Sequence, residues 1–365
     1  MISVTHELAI ARPAETIVVP WSGILRALPG AAPQQVAVKD DGGRVLPCQV
    51  DAGAGLIFQH DFAPGEQAAT FTVEKTAGLA PAFPAKVFAR HVPERFDDFA
   101  WENDKVGHRT YGPALATPAA GKDFLVTSGL DVWCKRVPDL IVDRWYRRGH
   151  YHTDSGEGLD MYHVGPSRGC GGTGIWDGRT LAVSRNYSSW RITAEGPIRV
   201  VFELTYDAWD AGGFKVAETK RFTVDAGHNL DEIESTFDVV EGSAKELTVG
   251  LGLNKDLADK DQEAAVHLAP MPADGSLAQW SVQKTDGQLG LAIIVPRDAF
   301  AGYAEDALNQ LILARARPGQ PLRYYVGAGW SKAGEFATEK SWTDYVAACA
   351  ARIRAPVKVE IRRVP

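Results

Sequence analysis

Apolar and polar residues alternate with a period of two along much of the chain, in stretches of four to ten residues. Over 229–239, Ile233, Ser235, Phe237 and Val239 interleave with Glu234, Thr236 and Asp238; over 357–362, Val357, Val359 and Ile361 interleave with Lys358, Glu360 and Arg362. A strand turns successive side chains to opposite faces, so this spacing gives each stretch one buried and one wet side. Comparable runs at 15–19, 35–38, 70–73, 198–206, 214–224, 246–253, 289–295, 310–314 and 322–326 are rich in β-branched and aromatic residues and bounded by turn residues. The chain reads as all-β, mainly antiparallel.

Helical spacing is rare. Trp342, Tyr345, Val346, Cys349 and Ile353 share one face of a helix, with Ser341 as its N-cap. A second short helix is expected over 299–308. The Pro-rich stretch LAPAFP at 79–84 marks a hinge between a small N-terminal β unit, 1–80, and the main body of one large domain spanning 1–365. No repeat of solenoid or propeller period appears.

Composition narrows the class. Hydrophobic residues at 45% and charged residues at 23% are ordinary for a folded domain and exclude a disordered chain. A formal net charge of −7 removes the basic surface that nucleic-acid binding requires. No apolar run approaches the roughly 20 residues of a membrane-crossing helix. The four cysteines, Cys48, Cys134, Cys170 and Cys349, lie far apart without a CxxC pair, against a zinc ribbon or a thioredoxin motif. They read as free thiols, with two disulfides as the alternative in an oxidising compartment.

Chemistry concentrates in three patches. In the first, 144–172, Arg144, His150, Tyr151, His152, Asp154, Glu157, Asp160, Tyr162, His163 and Arg168 stand among many glycines. Such loops bring backbone close to a ligand, while imidazoles, carboxylates and phenols move protons. His150, His152 and Asp154 are two apart and project to one side of an extended segment, an arrangement that can hold a divalent metal or serve proton transfer. GPSRG around Ser167 matches a nucleophile elbow and GCGGTG a dinucleotide loop, but neither has the required strand–turn–helix context.

The second patch, 96–115, holds Trp101, Glu102, Asn103, Asp104, His108, Arg109 and Tyr111. Read as one extended segment, it puts Trp101, Asn103, Lys105, Arg109 and Tyr111 on a common face lining a groove. The third, 323–336, sets Tyr325, Trp330, Ser331 and Lys332 beside small residues, as in sugar-stacking platforms.

Together the strings VVPWSGIL, FAWENDKVGHRTYGPAL, YHTDSGEGLDMYHVGPSRGCGG, ETKRFTVDAGHNL and GAGWSKAGEF resemble the family catalogued as domain of unknown function 4861, over nearly the whole chain. The resemblance implies a large β-supersandwich like that of galactose mutarotase and many polysaccharide lyases. It also implies a place in the breakdown of acidic polysaccharides such as pectin and ulvan, and a periplasmic or secreted location after removal of a leader, with the cytoplasm as the alternative.

The expected activity is therefore dehydration or β-elimination on uronate-containing oligosaccharides. Removing a proton beside a carboxylate builds negative charge there, which calls for a cation, a base and an acid. Arg109, or Arg144 or Arg168, would neutralise; His152 or His150 would be the base; Tyr162 or Tyr111 the acid. Glu157 and Asp160 would orient imidazoles or bind hydroxyls, and Trp101, Tyr151 and Trp330 would stack on sugar rings. Glu102, Asn103, Asp104, His163 and Lys332 complete the expected substrate contacts. A two-carboxylate hydrolase using Glu102, Asp104, Glu157 or Asp160, an epimerase, and a non-catalytic carbohydrate-binding protein are the alternatives. No cofactor is required by these residues.

Overall fold

Eight antiparallel strands form the largest sheet, in the spatial order Ser189–Ala194, Arg199–Asp210, Lys215–Asp225, Leu230–Glu241, Pro321–Trp330, Gln288–Ile294, Ser276–Gln283 and Glu263–Met271. They are seen in a computed structural model, which describes residues 1–51, 53–255 and 263–362. Within Leu230–Glu241 the alternation works as expected: Ile233, Ser235 and Phe237 are buried, and Glu234, Thr236 and Asp238 face outward. Each strand predicted from the pattern is present, with its ends shifted by a few residues.

Two five-stranded sheets make the facing layer. One runs Gly158–Leu159, Leu130–Lys135, Val106–Thr110, Asp98–Asn103, Val87–Val92; the other Leu181–Ala182, Cys170–Trp176, Leu247–Asn254, Asn309–Ala316, Phe300–Glu305. A parallel bridge between Leu130 and Gly169 joins them side by side. Side chains from both layers share one large core, in which Phe202 and Phe222 stack with centroids 4.6 Å apart and Trp101 packs on each. Burying such rings is worth several kcal/mol apiece by area, roughly 2–3 each. The architecture is the expected all-β supersandwich.

The segment 299–308 is a correction: it holds the strand Phe300–Glu305, not a helix. It hairpins onto Asn309–Ala316 through a turn in which Asp306 Oδ1 accepts from the amides of Leu308 and Asn309, at 2.8 and 2.7 Å. The expected C-terminal helix spans Glu339–Arg354, but its N-cap is Thr338, and Ser341 reciprocates from the third helical position. Its face of Trp342, Val346 and Ala350 packs on Ala278, Trp280, Ala292 and Ile294. Gly290 is required there, since a Cβ would lie 2.6 Å from the indole of Trp342.

Residues ahead of the exposed coil at 79–84 form two small sheets over a separate core of Ile2, Val4, Ile17, Val19, Phe58 and Phe71. The strand Lys358–Ile361 returns to pair with Ile2–Thr5. Glu15 links this unit to the C-terminal helix: it takes hydrogen bonds from Arg12, which is fully buried, and from Arg352 at 3.0 Å.

Candidate functional site

The strand Asp98–Asn103 sends Phe99, Trp101 and Asn103 into the sandwich, leaving Asp98 and Glu102 on the outer face of its sheet. The chain then reverses at Asp104 and Lys105, where Asn103 Oδ1 accepts from the amides of Lys105 and Val106 at 2.8 and 3.0 Å. The second patch is thus a hairpin and not one extended segment, and Trp101 and Arg109 fall on opposite faces. His108 stacks on Trp101 inside, while Arg109 pairs in register with Ala100 and Asp131 and faces outward. The short helix Val142–Arg148 and the loop after it cover this outer face, packing Trp145 and Tyr151 on Trp133.

Arg109 is the hub beneath that cover. Its Nε and Nη2 donate to Asp131 Oδ2 at 2.9 and 2.5 Å, Nη2 also donates to Asp160 Oδ2 at 2.9 Å, and Nη1 reaches the Tyr151 hydroxyl at 3.2 Å. Asp98 lies 3.9 Å from Nη1, and the Tyr111 hydroxyl donates to Asp131 at 3.3 Å. Three buried carboxyls thus share one cation, which cannot balance them all. Burial drives the Asp98 carboxyl up to about 6, and burial together with the Asp131 charge holds Asp160 well above the usual carboxylate range.

His152 sits at the mouth of this cluster. Its Nδ1 lies 3.0 Å from the Asp160 carbonyl oxygen and 3.6 Å from Asp160 Oδ2, while its side chain is 70% exposed. A carbonyl oxygen only accepts, so Nδ1 carries the proton, and in the neutral ring the lone pair is on Nε2, facing solvent. The ring is oriented by a residue that Arg109 itself anchors.

Several expected site residues serve the fold instead. Glu102 is fully buried and accepts from Lys135 at 2.7 Å and from the amides of Ile141 and Val142 at 2.7 Å, capping the helix Val142–Arg148. Trp101 is a core residue whose indole donates to Asp231 at 2.8 Å, so it offers no stacking surface. Asn103 bonds the carbonyls of Asp225 and His228, and Asp104 accepts from Gly227. Trp330 is buried with its indole on the Asp286 carbonyl, and Lys332 lies over its ring. Tyr162 is buried in the sandwich and Tyr111 is buried with its hydroxyl on Asp131 in the Arg109 cluster, and burial pushes both phenols well above their ordinary range.

The arginines are corrected too. Arg109 is saturated by aspartates. Arg168 is enclosed in the interior, donating to Ser128 Oγ and the Pro166 carbonyl, with burial bringing it down to about 10. Arg144 and Arg148 clamp Glu157, which also takes the Trp145 indole, so Glu157 pins the helix. Tyr151 is buried against Trp133, whereas His150 and His163 are exposed. Asp154 is held by Arg136 at 2.7 Å and by the amides of Gly156 and Gly158. Among the described residues no group of three or more His, Cys, Asp or Glu is gathered to hold a metal. Ser167 is buried in a turn, its hydroxyl on the Val164 carbonyl.

Asp98 and Asp131 are the members that residue patterns missed as partners of Arg109. The available signal was a carboxylate placed inside an apolar strand, in DFAWEN and LDVWCK, where burial demands a partner.

The fold is the large β-supersandwich described above, and comparison with known proteins supplies the family. The chain belongs to the family described as Domain of unknown function (DUF4861), whose model matches residues 4–359. It is 31% identical over 322 residues to "Uncharacterized protein P7" of Formosa agariphila, covering 84% of this chain and 78% of that protein. Among solved structures it is similar to an alpha-mannosidase from Enterococcus faecalis, with a TM-score of 0.51 at 9% identity over 99% of this chain. The chain spans 46% of the mannosidase's length, and that likeness concerns the fold alone.

Proposed function

We propose that this protein is a carbohydrate-active enzyme that removes water from, or cleaves by β-elimination, uronate-containing oligosaccharides, with His152 as the base. The observation that carries this reading is the oriented imidazole: Nδ1 fixed on Asp160, Asp160 fixed on Arg109, and Nε2 free at the surface. Proton abstraction beside a carboxylate needs such a base, held in one tautomer within reach of a ligand. With Arg109 committed internally, the cation for the substrate carboxylate falls to the end of the covering helix, where Arg147 is exposed and makes no ion pair among the described residues. His150, two residues from the base and also exposed, is the proton donor to the departing oxygen. The acidic-polysaccharide setting implied by the family resemblance supports the uronate as substrate, and the glycosidase fold supports a sugar ligand.

A two-carboxylate hydrolase has one geometric point in its favour: Asp131 and Asp160 touch the same nitrogen of Arg109 and so are neighbouring carboxylates, as a glycosidase pair must be. Their burial beneath Tyr151 and His152 weighs against it, because a glycosidic oxygen must reach the acid. Mass spectrometry of pectic and ulvan-derived uronate oligosaccharides incubated with the protein tests the proposal. Loss of one water, or unsaturated fragments, is expected, and His152→Ala should lower the rate by about 10²–10⁴ with thermal stability unchanged. Undiminished turnover in that variant would sink the assignment.

A further inference from the structure

An open, charged cleft lies on the opposite side of the sandwich from His152. It has a volume of about 380 Å³ and sits where the outer face of the eight-stranded sheet, the strand Arg12–Val19 and the helix Glu339–Arg354 meet. That size falls within the range of small-molecule sites, about 300–1,000 Å³. The first and last structural units of the chain build it jointly with the sheet.

Its lining is charged yet balanced. Arg199 grips Asp225 through two bonds of 2.6 Å, Arg352 holds Glu15 at 2.8 Å, and Arg323 approaches Glu232 at 3.4 Å. His228 lies among them with burial lowering its proton affinity, so it adds no charge at neutral pH. Arg12 shares Glu15 from beneath and Arg323 also takes Glu234 at 2.7 Å, so four cations meet four anions and a charged ligand finds no uncompensated partner.

Each pair nevertheless keeps hydrogen-bonding capacity. A carboxylate offers about four acceptor positions and a guanidinium five donors. Asp225 uses three, two on Arg199 and one from Thr16 Oγ1 at 2.8 Å. Glu232 accepts from the Tyr325 hydroxyl at 2.9 Å, which fixes that ring at the cleft. Val18, Leu230 and Ile353 add apolar surface between the polar groups. Planar polar groups held rigid by their own pairing, interspersed with aromatic and aliphatic patches, match a ring that carries hydroxyls around its edge and C–H bonds on its faces.

From this arrangement we infer that the cleft is a second carbohydrate site, which binds an uncharged pyranose. It is separate from the acidic-sugar centre and stands or falls without it.

Saturation-transfer NMR and calorimetry with the methyl pyranosides of xylose, galactose, mannose and rhamnose, and with methyl galacturonide and glucuronide, test the inference on the full chain. At least one neutral pyranoside should bind with a Kd in the millimolar range or below, and the uronides roughly tenfold more weakly. Val18→Trp, at an exposed position on the cleft wall, should abolish binding, and Tyr325→Phe should weaken it several-fold. His152→Ala should leave it unchanged. No transfer to any neutral sugar at about 50 mM, binding that survives both cleft variants, or tighter binding of the uronides would each overturn the inference.

Discussion

Asp98 shows how one residue's burial becomes a measurable property. Its Oδ1 has no hydrogen-bond partner among the described residues, its Oδ2 meets the Tyr146 hydroxyl at 3.4 Å, and its carboxyl is pushed up to about 6 from an ordinary 3.8. A carboxyl that holds its proton better in the folded chain stabilises the fold fully below the ordinary value. That contribution is lost as pH rises through about 6. Asp98→Asn should therefore stabilise the protein at pH 8 by roughly 1–3 kcal/mol and change little at pH 4. Urea unfolding of both proteins at the two pH values checks this, and an equal effect at both would contradict the shared-cation picture. The same residue marks the limit of reading a sequence: FDDFAW displays two aspartates, but only the three-dimensional approach of Arg109 reveals that one of them belongs to the cluster.

At the scale of elements, strand alternation was legible because it records which side faces the core, and register follows once one face must be buried. The hairpin at Asp104 and Lys105 was not legible, since no glycine or proline marks it and the turn is held by the Asn103 side chain. That one reversal moved Trp101 and Arg109 to opposite faces and dissolved the expected groove. Glycine density in 144–172 did locate the oriented imidazole, but most of the charges there secure the covering helix. Glu102 has the same role from below, so Glu102→Gln should leave Lys135 charged and buried without a counter-charge and unseat the helix amides. A loss of about 3–5 kcal/mol is expected by denaturant titration. Turnover should fall as well, though Glu102 meets no substrate, because the helix carries the loop that presents His152.

The whole molecule joins its N-terminal unit to the sandwich through few buried charges. Glu15 is the shared counter-charge of Arg12 and Arg352, so Glu15→Gln strands two guanidiniums at the junction. Hydrogen exchange should then accelerate in the strands Arg12–Val19 and Ala68–Lys75 while Leu230–Glu241 stays protected. Uniform acceleration would mean that the unit and the sandwich unfold as one. Such separable stability is expected where distinct cores meet over a seam rich in polar contacts, with Ile57 the fully buried residue of the N-terminal unit that reaches the sandwich core.

The pairing of Lys358–Ile361 with Ile2–Thr5 also has a consequence for biogenesis. The strand Ile2–Thr5 finds one neighbour, Ala68–Lys75, nearby in sequence, but its other neighbour lies beyond every strand of the sandwich. Until that distant strand arrives, Ile2–Thr5 presents an open edge able to recruit a strand from another copy. A chaperone that shields extended segments would therefore act on this protein chiefly at that edge, and release would wait for Lys358–Ile361 to close it.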